Sequence, residues 1–179
     1  MLFDIDLVII ELNQMVADGI ADTYAIGGAV AANVYVEAAT TEDVDVFVAF
    51  KPEGALIIDP SPLLNYFKDK GYLMEDDRVV IGGWPVQFLP PPGPLEEEAM
   101  ERAVLLEDDD GPPLRIFSAE YLAAAALKTG RSKDKSRLLQ FLESGVLDRT
   151  RFDDVVSRHG LTEKWLDFRK QFIPDDHET

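Results

Sequence analysis

Tyr24-Ala25-Ile26-Gly27-Gly28-Ala29-Val30-Ala31, followed by Asp43-Val44-Asp45-Val46-Phe47-Val48, decides the fold. Tyr24 to Ile26 reads as a short strand, Gly27-Gly28 as a tight turn, and Ala29 to Tyr35 as a small-residue helix that can lie close to a sheet. Val44, Val46 and Val48 alternate with Asp45 and Phe47, so Asp43 to Phe50 reads as a second strand. Residues two apart on a strand share a face at about 6.5–7 Å along the chain. Asp43 and Asp45 can therefore converge on one cation while the valines face the core. Backbone N–H groups at a strand-to-helix turn can hold an anion, and a carboxylate pair can hold Mg²⁺ together with phosphate oxygens.

Each element alone has an ordinary explanation: a glycine pair often only closes a turn, and an Asp-x-Asp often only solvates a strand entrance. Neither Gly-x-x-x-x-Gly-Lys-Ser/Thr nor Gly-x-Gly-x-x-Gly occurs, which excludes the two commonest phosphate-binding loops. The two elements in succession, with a short helix between them, point to nucleoside triphosphate chemistry.

The rest of the chain bounds this reading. Its 179 residues fit one domain, or one domain with a helical appendage, and 46% hydrophobic content builds a core. No apolar run approaches the roughly 20 residues of a membrane-spanning helix. Acids stand at Asp4 and Asp6, where a signal peptide carries Lys or Arg, and cysteine is absent; a cytoplasmic location is expected. The net charge of −17 repels nucleic acid and anionic membranes, and no DNA-binding motif is present. A bound polyanion needs a local basic island, and Lys128, Arg131, Lys133, Lys135 and Arg137 supply one. A helix end complementing its dipole is the plainer explanation for such an island.

Helices are predicted at Ile5 to Ala17, Ser61 to Lys70 and around Glu96 to Met100. A hairpin is predicted across Asp76-Asp77, a strand at Pro85 to Leu89, and two short strands around Asp108-Asp109-Asp110-Gly111. Loops are expected at 51–60, and a frayed tail after Pro174. From Ser118, read as an N-cap, the pattern turns wholly helical (118–129, 132–144, 149–158, 162–172). The expected class is α/β: a mixed, twisted sheet flanked by helices (residues 1–117), with a helical C-terminal part (118–179) packed on it. His159 and His177 are too isolated to form a metal site.

Gly27-Gly28-Ala29-Val30-Ala31, with Thr40-Thr41-Glu42-Asp43-Val44-Asp45, resembles the Gly-Gly/Ser…Asp-x-Asp signature of the DNA-polymerase-beta-like nucleotidyltransferase superfamily. Phe117 to Leu122 and Leu127-Lys128-Thr129-Gly130-Arg131-Ser132-Lys133-Asp134 are similar to a segment of its small bacterial AbiEii-type (toxin–antitoxin) group. The resemblance spans roughly residues 24–50 and 114–138. It implies that Gly27 and Gly28 hold a triphosphate and that Asp43 and Asp45 bind Mg²⁺ or Mn²⁺. It further implies that Lys128 contacts phosphate, with Arg131, Lys133 and Asp134 beside the same cleft. The implied activity transfers a nucleoside monophosphate to a hydroxyl on RNA, protein or a small molecule, releasing pyrophosphate. An antitoxin-like protein is an implied partner.

One departure bears on turnover. Transferring members of the superfamily carry a third carboxylate on a later strand, and in Trp84-Pro85-Val86-Gln87-Phe88-Leu89 that position is Gln87. An amide carries no charge and takes no proton, and general-base help is worth about 10²–10⁴-fold. The competing expectation is a catalytically degenerate nucleotide-binding or regulatory module.

Overall fold

The computed structural model describes residues 4–37, 40–49, 60–107 and 111–173. The expectations for Phe50, the 51–59 loop, the 108–110 turn and the tail from 174 lie outside the described residues. The elements run α1 (Ile5–Ala17), β1 (Thr23–Ile26), α2 (Gly28–Ala32), β2 (Val44–Ala49), α3 (Ser61–Asp69), β3 (Leu73–Glu75), β4 (Arg78–Ile81), β5 (Trp84–Leu89), α4 (Pro94–Glu101), β6 (Val104–Leu106), β7 (Leu114–Ile116), α5 (Ala119–Thr129), α6 (Ser132–Ser144), α7 (Arg149–Arg158) and α8 (Thr162–Phe172). The expected mixed α/β architecture is what the chain forms. No helix among the described residues is long and apolar enough to cross a membrane.

The seven strands make one sheet in the order β3-β4-β5-β2-β1-β7-β6. β2 runs parallel to β5 and β1 parallel to β7, and the remaining pairs are antiparallel. The period-2 pattern of β2 divides the molecule. Val44, Val46 and Val48 are buried on the face covered by α1 and α3. There Tyr24, in register with Val48, donates its hydroxyl to Asn13 of α1 at 2.8 Å. Phe88, in register with Val46, stacks on Phe67 of α3 at 5.2 Å. Asp45 and Phe47 point to the opposite face, where α2 and α5 lie. Phe47 stacks on Phe117, just before α5, with ring centroids 4.8 Å apart.

α5 is a nearly buried, alanine-rich helix that packs against α4 and α2 while α6, α7 and α8 pack on it. Small side chains allow this close approach on several sides. Two local expectations are corrected. α2 ends at Ala32 rather than Tyr35, its last carbonyls being taken by Val34 and Tyr35 amides three residues on. The run Val34-Tyr35-Val36 is a poor helix former, so the tighter turn wins. Ser118 sits at the N-cap of α5, but its hydroxyl donates to Glu120 at 2.6 Å instead of capping the backbone.

Glu98 on α4 ties the sheet region to α7. It accepts from Arg158, and His159 Nε2 lies 2.6 Å from its carboxylate. Burial alone would push the pKa of its carboxyl up, but the bonds from Arg158 and His159 outweigh it and hold the carboxyl down at about 2. A depressed carboxyl stabilises the fold above its ordinary value near 4.5, and this contribution fades as the pH falls towards 2. Glu98→Gln should therefore melt about 3 °C below the parent at neutral pH, the scale of one modest ion pair in a chain this size. The gap should close in melts run between pH 4.5 and pH 2; a gap independent of pH would contradict this account.

Candidate functional site

The turn after β1 sets the site. Gly28 has φ +59°, a left-handed conformation that side chains rarely adopt, and a Cβ there would lie 2.2 Å from Asp45 Oδ2. Gly27 has an ordinary φ but no room: a Cβ would meet the Phe47 ring at 2.6 Å. Its amide donates to the Asp45 carbonyl at 2.9 Å, so it secures the turn to β2 rather than facing a ligand. The first amides of α2, from Gly28 onward, have no intrahelical acceptor. Both glycines are thus demanded by the closeness of β2, and the Asp45 carboxylate lies directly against the turn.

A cleft of about 740 Å³ opens at this point. One wall is Gly28, Ala29, Thr40, Thr41, Glu42, Asp43 and Asp45; the other is Arg131, Lys133, Ser136, Arg137 and Gln140. The second wall follows from the period of α6. Lys133, Ser136, Arg137 and Gln140 fall at i, i+3, i+4 and i+7, while Asp134, Leu138 and Phe141 bury the adjoining flank. Three carboxylates face three cations, so the cleft is close to neutral in a chain of net charge −17. A second recess of about 240 Å³ adjoins it and shares Gly28, Asp45, Arg131 and Arg137. Its lining is mostly apolar, with Phe47, Leu89, Pro92, Phe117 and Leu122.

The carboxylate pair carries the electrostatic tension. Asp45 is pushed above the usual carboxylate range, first by burial and then by the neighbouring charge of Asp43; Lys133, Arg78 and Arg137 pull it back in part. The Thr41 hydroxyl donates to the Asp43 carbonyl at 2.9 Å, which pins the entrance of β2. Arg78 of β4 places Nη2 3.5 Å from Asp43 Oδ2.

Of the residues predicted from sequence, the cleft gathers Gly28, Asp43, Asp45, Arg131 and Lys133. Asp134 is buried and lines the second recess; its carboxylate accepts from Arg131 Nε at 2.7 Å and from the Arg131 amide at 3.3 Å. Lys128 does not line the cleft. Its ammonium lies 2.8 Å from both oxygens of Glu96, a buried acid at the wall of the second recess. Lys135 points away, over the Phe172 ring at 5.5 Å. Gln87 lies directly opposite Asp45 in the parallel β2–β5 register, and its amide Nε2 donates to Asp77 at 3.1 Å. Arg137 of the basic island also lines the cleft, and Arg78, at Asp43, is the addition the structure makes; each has a buried Nε with no hydrogen-bond partner among the described residues.

The donor set can be compared with a divalent ion. Two carboxylates at one strand entrance, completed by phosphate oxygens, fit one hard cation. Among the described residues no group of three or more His, Cys, Asp or Glu could hold a metal ion. A second ion would find the neutral Gln87 and the guanidinium of Arg78. The site fits one divalent cation and does not fit two.

With this geometry in hand, solved structures can be compared. An antigenic nucleotidyltransferase-like protein from Paracoccidioides brasiliensis superposes with a TM-score of 0.59 at 15% identity, over 93% of this chain and 92% of that one. The chain has a nucleotidyltransferase-like fold. The antibiotic-resistance factor ANT(2'')-Ia, solved in solution, superposes with a TM-score of 0.50 at 14% identity, over 92% of this chain and 96% of its own. No family model matches the chain, and no curated protein matches it in sequence. At such low identity the nucleotidyltransferase-like fold is the shared property.

Proposed function

We propose that this chain binds a nucleoside triphosphate with one divalent cation, Mg²⁺ or Mn²⁺, in the cleft between β2 and α6. The observation that carries the reading is the meeting of Asp43 and Asp45 with Arg131, Lys133 and Arg137 across one cavity beside the Gly28 turn. Asp43 and Asp45 would hold the cation, which supplies charge neutralisation at the phosphates. Amides from Gly28 onward and the cations of α6 would hold phosphate oxygens, a geometry suited to Arg and Lys. Gly27 keeps the turn against Phe47. Asp134 orients Arg131, and Lys128 reaches the ligand only by leaving Glu96. The apolar recess beside the cleft suits the nucleobase, whose flat faces pack on side chains such as Phe47, Leu89 and Pro92.

The reaction this arrangement would serve is nucleotidyl transfer. An acceptor hydroxyl oxygen bonds to the α-phosphorus as the bond to pyrophosphate breaks, and the hydroxyl proton passes to a base. RNA, protein and small molecules all carry such hydroxyls. Binding without turnover is the second reading, and Gln87 favours it: the position opposite Asp45 that a proton-accepting acid would take holds an amide. An antitoxin-like protein partner, implied by the AbiEii-type resemblance, would be basic to suit a charge of −17.

Calorimetric titration of ATP, CTP, GTP and UTP with Mg²⁺ or Mn²⁺ tests the binding, with saturable one-to-one binding of at least one expected. Silence from all four removes the proposal. Incorporation of labelled nucleotide into RNA or protein separates the two readings, and turnover lost in Asp43→Ala excludes binding alone.

A further inference from the structure

We propose that Arg78 is a resident cation of the cleft, standing at Asp43 where a second divalent ion would need to sit and lending its charge to the bound polyphosphate. Arg78, Gln87 and Asp45 are opposite one another across β4, β5 and β2, so their side chains share one face in one row. That row leads the guanidinium to Asp43, two residues before Asp45, where Nη2 lies 3.5 Å from Oδ2. Its charge is also felt at Asp45, which it helps to keep ionised.

Two-metal sites clamp their ions about 3.5–4 Å apart between shared carboxylates. Here the side chain next to Asp45 in the row is an amide, Gln87, whose own N–H₂ donates to Asp77, and the one beyond it, Arg78, is already cationic. A second divalent ion would replace a favourable contact with repulsion from the guanidinium. Arg78 is also well suited to a second task. Its pair with Asp43 is half-exposed and therefore weak, so its exposed Nη groups can turn to a phosphate oxygen, which suits a guanidinium better. Arg131, Lys133 and Arg137 line the cleft, and Arg78, just outside that lining at Asp43, adds a fourth cationic side chain towards a polyphosphate. Nucleotide binding in this chain depends less on metal than in a two-metal site.

The phosphate half of the proposal rests on the nucleotide reading above; the metal half does not. Mn²⁺ titrations followed by electron paramagnetic resonance test the metal half on the free protein. Arg78→Gln should bind Mn²⁺ about tenfold more tightly than the parent, the factor that a unit charge about 6 Å from a divalent ion produces in water. Arg78→Lys, which keeps the charge, should match the parent. Equal affinity in the parent and Arg78→Gln, including no binding by either, overturns the assignment. For the phosphate half, ATP affinity is measured in Mg²⁺ and in excess EDTA. The parent should lose no more than about tenfold on chelation, and Arg78→Gln should lose about tenfold more in EDTA alone. Parent binding that vanishes with EDTA refutes the phosphate role. Absence of nucleotide binding under both conditions refutes the nucleotide reading and the phosphate role with it, while the Mn²⁺ comparison still decides the metal half.

Discussion

Gly28→Ala should abolish nucleotide binding, by about 100-fold or more, at a stability cost of only about 1–2 kcal/mol. Two separate effects produce this. The left-handed φ of +59° is strained for any residue with a Cβ, and this alone lowers the melting temperature by about 2–8 °C in a chain of this length. The new methyl would also lie 2.2 Å from Asp45 Oδ2, with Asp45 Cγ and Cβ at 3.1 and 3.3 Å. The carboxylate has to swing away and the strained turn shifts its free amides, so the cation position and the backbone phosphate contacts are lost together. Gly145 supplies the control. It is left-handed too, at φ +74°, but its added Cβ meets nothing within 4 Å. Gly145→Ala should lose similar stability and keep full binding. Thermal melts and calorimetry on the two variants decide the matter: equal loss of binding in both, or unchanged binding in Gly28→Ala, would refute the proposed role of the turn.

This pair of glycines also shows what could be read before the structure. Gly27-Gly28 and Asp43/Asp45 are local patterns: a turn residue type and a two-residue spacing, each set by its own stretch of backbone. The alternation in β2 orients the aspartates without reference to any other strand. Gln87 was legible for a related reason, because a single short strand with one polar inward position leaves little choice of register. Arg78 was not legible. It reaches the site only through the pairing Arg78↔Gln87, and nothing in a hairpin's own sequence shows which strand it will adjoin.

The basic island divides by helical phase, which the sequence did display. Lys133, Ser136, Arg137 and Gln140 are one stripe, so Arg137 belongs with Lys133 on the cleft wall rather than among the helix-end charges. Lys135 is a third of a turn or more off that stripe and packs over Phe172 instead. Lys128 depended on a long-range partner. Glu96 is buried far away in sequence, and a buried carboxylate takes a cation wherever the fold offers one. Local pattern located the ligand-facing elements, and tertiary pairing decided which charges remain available to a ligand.

Asp45→Asn should stabilise the free protein while halving its response to nucleotide. The pKa of Asp45 is raised by burial and by Asp43, so the folded chain holds a proton there more readily than the unfolded chain does. The sign follows directly: ionising this group costs folding stability, and the cost grows as the pH rises from the ordinary carboxylate range through the raised folded value. Above the raised folded value the cost is complete, and the asparagine, nearly identical in shape, removes it. The melting temperature of Asp45→Asn should exceed that of the parent at pH 7, and the two should converge as the pH falls below the usual carboxylate range. A divalent ion with nucleotide reverses the order. At a ligand concentration about 100 times the parent's Kd, binding adds about 2.7 kcal/mol to the parent, or roughly 5–10 °C, and only about half as much to a variant whose affinity is about tenfold weaker without the cation. A partly buried carboxylate pair that weakens the empty protein, despite the cations around it, is what a site that takes up a divalent ion would show. An Asp45→Asn protein that is less stable than the parent at pH 7, or one that still gains the full ligand-induced shift, would show that Asp45 is a structural acid and not the centre of the site.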